Sequence, residues 1–383
     1  MAHIQKINNG KKYKAIVEVG TTGNRKRRTK TFERKKDAQS WIASMINDQD
    51  QGTYVDPSHI TVAQFMERFL KNHKKPKVAT TTYDGYLNRY KGYIKPKIGH
   101  IPLQELDAFY LEEFFANLRN NGKIRGQGGL SENTLKKVYV LLNQGLKRAI
   151  KMQLIKQNPL EAIETPKPKN KEVKALPQKK LNKLLKTAKE EDYFTYVFIY
   201  FASFTGMRLS EILGLEWTEI DLKEGIISVK KRLIKKSGEG VVHEKDTKNK
   251  SSNRKIKIHE NLISILKEYK KWQLENRMAI GPEYNENKEF VFCRPDGKNY
   301  YPTTINDKVK KMMKKANLSN DYSTHTLRHT FATLSLKKEI PPKIVSEMLG
   351  HADISTTLDI YSHVDINMQE KAVNKLNEAI NTD

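Results

Sequence analysis

Residues 205–217 read TGMRLSEILGLEW, and they follow an apolar run, residues 193–204, that reads YFTYVFIYFASF. Gly206 breaks the helix that the apolar run predicts, and Arg208 opens a new one with Leu209, Ile212 and Leu213 on its inner side. An arginine at a helix start beside a buried surface has a local partner ready in Glu211, three residues on and on the same side. For an isolated arginine that pairing would suffice as an explanation. What Arg208 means is decided by the company it keeps further along.

Two later stretches supply that company. Residues 324–334, THTLRHTFATL, set His325 and Arg328 three apart on one helical face, where both can point at a single phosphate. In residues 348–364, MLGHADISTTLDIYSHV, Gly350 ends a helix, His351 follows it, and Ser355 is placed to cap a new helix carrying Tyr361. Singly, such a histidine is more often a satisfied, partly buried side chain, and such a tyrosine a packing aromatic. Together they bring two arginines, two histidines and a tyrosine into one region.

The surroundings of these stretches read as an α+β domain. Helices are predicted from Leu181 to Leu215, followed by the β-type runs GIISVKKRLI, NRKIKIH and FVFC, and helices again from Thr303 to the end. Residues 165–180, TPKPKNKEVKALPQKK, hold three prolines and six lysines without apolar periodicity, and are read as a linker (166–180) before a domain spanning 181–383. Residues 58–165 read as all-helical. Phe65, Phe69 and Leu70 share a face, LDAFYLEEFFANL is amphipathic, and SENTLKKVYVLLNQGLKRAI begins at a Ser131 cap. Lys136, Lys137, Lys147 and Arg148 on these helices are ordinary solvated charges when taken alone.

Residues 1–36 carry twelve Lys or Arg against the two acids Glu18 and Glu33. YKAIVEV, a turn at TTGN and RKRRTKTF predict a hairpin with a basic face. Ala38, Trp41, Ile42 and Met45, at helical spacing between Lys36 and Asp48, would cover its other side. Residues 1–57 are therefore read as a small β-sheet-plus-helix module for DNA binding.

Over the whole chain 70 Lys and Arg face 44 Asp and Glu, a formal net charge of +26. Solubility needs far less, so a polyanionic partner is the natural inference, nucleic acid before an anionic membrane surface. Cys293 is the only cysteine, which excludes an internal disulfide and a Cys-rich zinc cluster and suits a reducing compartment. The amino terminus is charged where a signal peptide would be apolar, and residues 193–204 are too short to span a bilayer, so a cytoplasmic protein is expected.

In order and spacing, R-LSE-LGL, H-LRHTFAT, and LGH followed by Y-H resemble the signature of the tyrosine recombinases, the phage-type integrases. The succession of basic module, helical domain and α+β domain is similar to the longer integrases of temperate phages, conjugative elements and genomic islands. The resemblance implies a multidomain fold: an arm-type DNA-binding module, an all-α core-binding domain and an α+β tyrosine recombinase catalytic domain. It assigns Arg208, His325, Arg328 and His351 to phosphate activation and Tyr361 to the nucleophile. It also calls for a lysine on a β-hairpin within VVHEKDTKNKSSNRKIKIH. Lys248 best fits that register, with Lys245 and Lys250 close by. Glu211 matches an acidic position that would orient a basic neighbour.

The chemistry fits those roles. Arginine offers a planar, permanently charged fork of donors that matches two phosphate oxygens. Histidine can donate to the phosphate or accept the phenol proton, a role assigned to His325. A tyrosine with a free pKa near ~10 needs such a cationic pocket before it can attack phosphorus. The covalent phosphotyrosine that results conserves the phosphodiester, so rejoining needs no ATP, and no cofactor or metal is called for. The implied partners are double-stranded DNA with core-type and arm-type sites and a homotetramer on the synapse, with room for an excision factor and a host DNA-bending protein, all in the cytoplasm of a bacterial host. A chromosome-dimer resolvase, a type IB topoisomerase and a non-catalytic DNA-binding regulator are the competing readings. The tail after Tyr361 keeps Met368, Val373, Leu376 and Ile380 at helical spacing, suited to packing on its own domain or on a neighbouring protomer.

Overall fold

The structure, a computed structural model, describes residues 2–19, 26–51, 54–56, 58–168, 174–236, 240–245, 253–284, 289–358, 374 and 377. The chain packs into two units, residues 1–170 and 171–383.

The first unit opens with a three-stranded antiparallel sheet, β1 (Ala2–Ile7), β2 (Lys12–Val19) and β3 (Lys26–Phe32), in the order β1-β2-β3. Pairing of Tyr13 with Phe32 and of Val19 with Lys26 agrees with the hairpin expected from the sequence, whose TTGN turn lies outside the described residues. The sequence reading missed β1, where Ile4 faces Ala15 and Ile7 faces Lys12. AHIQKI has too few apolar positions to announce a strand by itself. Helix α1 (Lys35–Asp50) packs on β2, so that Ala15, Val17 and Ala38 are sealed from solvent.

The rest of this unit is helical. It comprises α2 (Val62–Arg68), continued by a π-helical stretch at Phe69–Lys74, then α3 (Thr80–Arg89), α4 (Lys95–Ile98), α5 (Ala108–Asn121) and α6 (Glu132–Lys151). Asp107 and Ser131 cap α5 and α6, each accepting a backbone N–H of the first turn. Val62, Phe65, Leu70, Ile94, Leu111, Leu135 and Leu142 fill one apolar core. The basic sheet is tied to the segment before α2: Asp56 accepts hydrogen bonds from Lys26 (2.8 Å), Arg28 (2.8 Å) and Tyr54 (2.8 Å). The two cations hold the Asp56 carboxyl well below the usual carboxylate range.

In the second unit α7 (Gln178–Glu191), α8 (Tyr193–Thr205) and α9 (Leu209–Leu213) precede a three-stranded sheet of β4 (Ile220–Asp221), β5 (Ile226–Val229) and β8 (Arg254–Lys257), between whose last two strands a separate hairpin, β6 (Lys231–Lys236) with β7 (Gly240–Lys245), is inserted. Then come α10 (Glu260–Ile280), α11 (Pro302–Lys315), α12 (Thr324–Lys337), α13 (Pro342–Leu349) and the short α14 (Ser355–Leu358). Helix α8 is the spine of this core, with Val197, Phe198 and Phe201 fully buried. No helix among the described residues is long and apolar enough to cross a membrane.

Three local expectations are corrected. GIISVKKRLI is not one strand: it divides at Lys230 into β5 and β6, which belong to different sheets. FVFC forms no strand, because its pairing is confined to isolated bridges from Phe290 to Glu216 and from Cys293 to Asn299. The end of the supposed linker belongs to the second unit, where Leu176 is buried and donates its N–H to Thr330 Oγ1 at 2.8 Å. Proline and lysine density masked that one anchoring leucine.

Candidate active site

The site is organised by how α8 stops. Gly206 has φ +61°, left-handed backbone, and a Cβ there would come within 2.5 Å of Phe331 Cδ1 and 2.8 Å of Leu349 Cδ2. Only glycine fits this turn without displacing a neighbour. The turn presents the Gly206 carbonyl to Arg328 Nη1 at 2.8 Å and leaves Arg208 as the capping residue just before α9.

Arg208 binds Glu211 as the spacing foretold, with Nη1 2.7 Å from Oε1 and its own backbone N–H 2.9 Å from Oε2. It does more than that. Nη2 reaches the Gly350 carbonyl at 2.8 Å, 142 positions away in sequence, while the side chain stays 37% exposed. Arg328, one turn into α12, is 5% exposed and also gives Nη1 to the Leu349 carbonyl at 2.9 Å. Its Nη2 has no hydrogen-bond partner among the described residues. Burial, and then the charge of Arg208, pull its guanidinium down to about 9, still protonated at neutral pH.

Gly350, with φ +66°, ends α13 in left-handed backbone and delivers His351. The His351 ring is held through Nδ1, 2.8 Å from Oγ1 of the fully buried Thr357, which leaves Nε2 for a ligand. Burial and the charges of Arg328 and Arg208 push this imidazole down to about 4. His325 lies in the first turn of α12 with its side chain exposed. Its ring meets that of His329 edge-on, with centroids 4.5 Å apart. Partial desolvation, then the charges of Arg328 and Arg208, hold His325 below the ordinary histidine range, and burial with His325 and Arg328 takes His329 down to about 4. All three rings are therefore neutral at neutral pH and able to accept a proton. His325 and Arg328 also line a cavity of about 360 Å³ whose other wall includes Asn306 and Lys310.

Arg208, His325, Arg328 and His351 thus come together from the start of α9, the first turns of α12 and the end of α13, across more than 140 positions. Tyr361 and Lys248, like Lys250 and the tail positions Met368, Val373, Leu376 and Ile380, lie outside the described residues, as does the Lys245 side chain. The cap expected of Ser355 falls to Asp353, whose Oδ1 accepts the Ser355 N–H at 2.9 Å; Ser355 is itself the first residue of α14.

Sequence reasoning missed Arg254. From β8 it sends Nη2 to Glu211 Oε2 at 2.8 Å and Nε to the Met348 carbonyl at 2.6 Å, with its side chain only 7% exposed. A signal was present: in NRKIKIH strict alternation places Arg254 with Ile256 and Ile258, the inward set, and Lys255 and Lys257 outward. Burial opposes ionisation of Glu211, but the hydrogen bond from Arg254 and the charges of Arg254 and Arg208 more than reverse this, so its pKa sits below the carboxylate norm. Three guanidiniums around one carboxylate leave a surplus of positive charge, the setting in which a phosphate monoanion is bound.

The phage integrase family profile matches residues 174–368, just over half of the chain. A phage integrase SAM-like domain matches residues 61–172, and an arm DNA-binding domain matches residues 3–49. A XerC-like tyrosine recombinase of Caldanaerobacter subterraneus subsp. tengcongensis is 27% identical, with 97% of each chain covered. The integrase of Staphylococcus phage L54a is 26% identical over 84% of this chain and 94% of its own. In fold, the Tn1549 transposon integrase, solved with a circular intermediate DNA, superposes with a TM-score of 0.69 at 20% identity, covering 83% of this chain and 99% of that one. The chain belongs to the phage integrase family, the tyrosine recombinases, enzymes that cleave and rejoin DNA strands.

Proposed function

We propose that this recombinase integrates a mobile genetic element into a bacterial chromosome and excises it, with Tyr361 as nucleophile. The observation that carries the proposal is that Arg208 and Arg328 both bind carbonyls at the end of α13, where His351 follows ten residues before that tyrosine, with His325 on the same helix as Arg328. Arg208 and Arg328 hold the non-bridging oxygens of the scissile phosphate, and His351 Nε2 adds a donor as charge develops. The Tyr361 hydroxyl oxygen attacks phosphorus and its proton passes to neutral His325. The 5′ oxygen leaves with a proton from Lys248, producing a 3′-phosphotyrosine bond that a DNA 5′-hydroxyl later reverses. Tyr361 and Lys248 enter on their place in the motif order.

Residues 58–165 and 181–383 would hold the core site, and residues 1–57 the arm-type sites, with four protomers in the synapse, in the cytoplasm of the host. The twelve cations of residues 1–36, and the arm DNA-binding profile over residues 3–49, favour this reading over a chromosome-dimer resolvase. The test uses nicked suicide substrates made from the element's own junctions, without added metal. Wild type should form a denaturation-resistant protein–DNA adduct that Tyr361→Phe does not. Tight binding to those junctions without an adduct would instead mark a DNA-binding protein.

A further inference from the structure

Three consecutive carbonyls at the end of α13 are each taken by a different arginine: Met348 by Arg254 Nε (2.6 Å), Leu349 by Arg328 Nη1 (2.9 Å) and Gly350 by Arg208 Nη2 (2.8 Å). The last carbonyls of a helix lack partners within the helix and carry the negative end of its dipole, so this end is a natural template for cations. Two of the three arginines belong to the site proposed above. The third has no assigned part in it.

We infer that Arg254 is a positioning residue for Arg208, acting through the Glu211 carboxylate that the two share. With Nε on the Met348 carbonyl and both Nη1 and Nη2 on Glu211, Arg254 is committed within the protein, whereas Arg208 is 37% exposed and Arg328 keeps Nη2 without a partner among the described residues. Arg254 occupies Glu211 Oε2 and approaches Oε1 at 3.3 Å. Arg208 consequently meets the carboxylate through one Nη1 hydrogen and Gly350 through one Nη2 hydrogen, and three of its five N–H donors remain for the phosphate. Without Arg254, the buried Glu211 would draw the Arg208 fork into a two-pronged pair, turning those donors inward. Lysine cannot replace Arg254, because an ammonium does not span the Met348 carbonyl and both carboxylate oxygens in one plane.

The inference rests on the phosphate role proposed for Arg208, and a double-mutant cycle on the full-length protein separates the two. Single-turnover cleavage of a suicide substrate would be measured for wild type, Arg254→Lys, Arg208→Lys and the double variant, with binding of the same DNA measured alongside. Arg254→Lys should slow cleavage about 30-fold with binding changed no more than about twofold, and in the Arg208→Lys background the same change should cost less than about threefold. Equal factors in both backgrounds would overturn the inference while leaving the recombinase reading intact. Absence of any wild-type adduct would instead defeat that reading. If Arg254→Lys does not fold, Glu211→Gln, which keeps the shape of the side chain, replaces it in the same cycle and must show the same collapse of its effect.

Discussion

Arg208 and Arg254 share one carboxylate: Arg208 Nη1 lies 2.7 Å from Glu211 Oε1, and Arg254 Nη2 lies 2.8 Å from Oε2. The carboxylate is 1% exposed, so it separates two like charges that would otherwise face each other in a region closed to water. Glu211→Ala should therefore destabilise the protein by about 3 kcal/mol, read as a lower urea midpoint with unchanged slope. An unchanged midpoint would mean that the arginines re-pair elsewhere.

Gly206→Ala combines a left-handed backbone with a collision against Phe331 and Leu349. A cost of about 2–4 kcal/mol is expected. Because the Gly206 carbonyl holds Arg328, single-turnover cleavage should fall by more than core-site binding does. Equal losses in the two would place the damage outside the phosphate site.

The histidines set an acid limit. His351 and His329 sit at about 4 in the folded protein against 6.5 for an ordinary imidazole. A depressed pKa contributes stability that is present above pH 6.5 and is lost as pH falls toward 4. The thermal midpoint should be flat from pH 8 to 7 and decline from 6.5 to 5, before the carboxylates titrate. His351→Gln should flatten part of that decline; an identical profile would count against the shift.

Asp56 occupies Lys26 and Arg28, two cations of the basic sheet. Asp56→Asn should cost folding little, since the pairs lie at a partly exposed surface, but free both side chains for phosphate. On arm-type DNA, fluorescence anisotropy should show tighter binding and a salt slope steeper by about 1–2. An unaltered slope would mean that β3 does not meet the DNA.

Lys248→Ala should slow cleavage of ordinary DNA and recover most of the rate on a substrate with a 5′-thiol leaving group, which needs no proton. Recovery by Lys250→Ala instead would move the general acid two residues along the sequence.

The sequence was most legible where interactions are local. The Gly206 break and the pairing of Arg208 with Glu211 lie within six residues, and spacing alone revealed them. Capping was half legible: a hydroxyl at Ser355 drew attention, while the aspartate two residues earlier makes the bond. Pairings across the fold were not legible. Nothing in residues 253–259 says that Arg254 ends at Met348, 94 positions on, and nothing at Lys230 marks where one β-run leaves its sheet for a hairpin. Those outcomes depend on how α13 and β8 pack, a property of the assembled core.

The clustering of three arginines on the end of α13 also has a bearing on synthesis. Helix α13 is among the last described elements to leave the ribosome, so a nascent or truncated chain ending before Met348 already carries Arg208, Arg254 and Arg328 but lacks the three α13 carbonyls that they bind. Such a chain can adhere to DNA through its charge, yet its phosphate-binding centre is unassembled. Assembly of that centre is thereby withheld until α13 has been made.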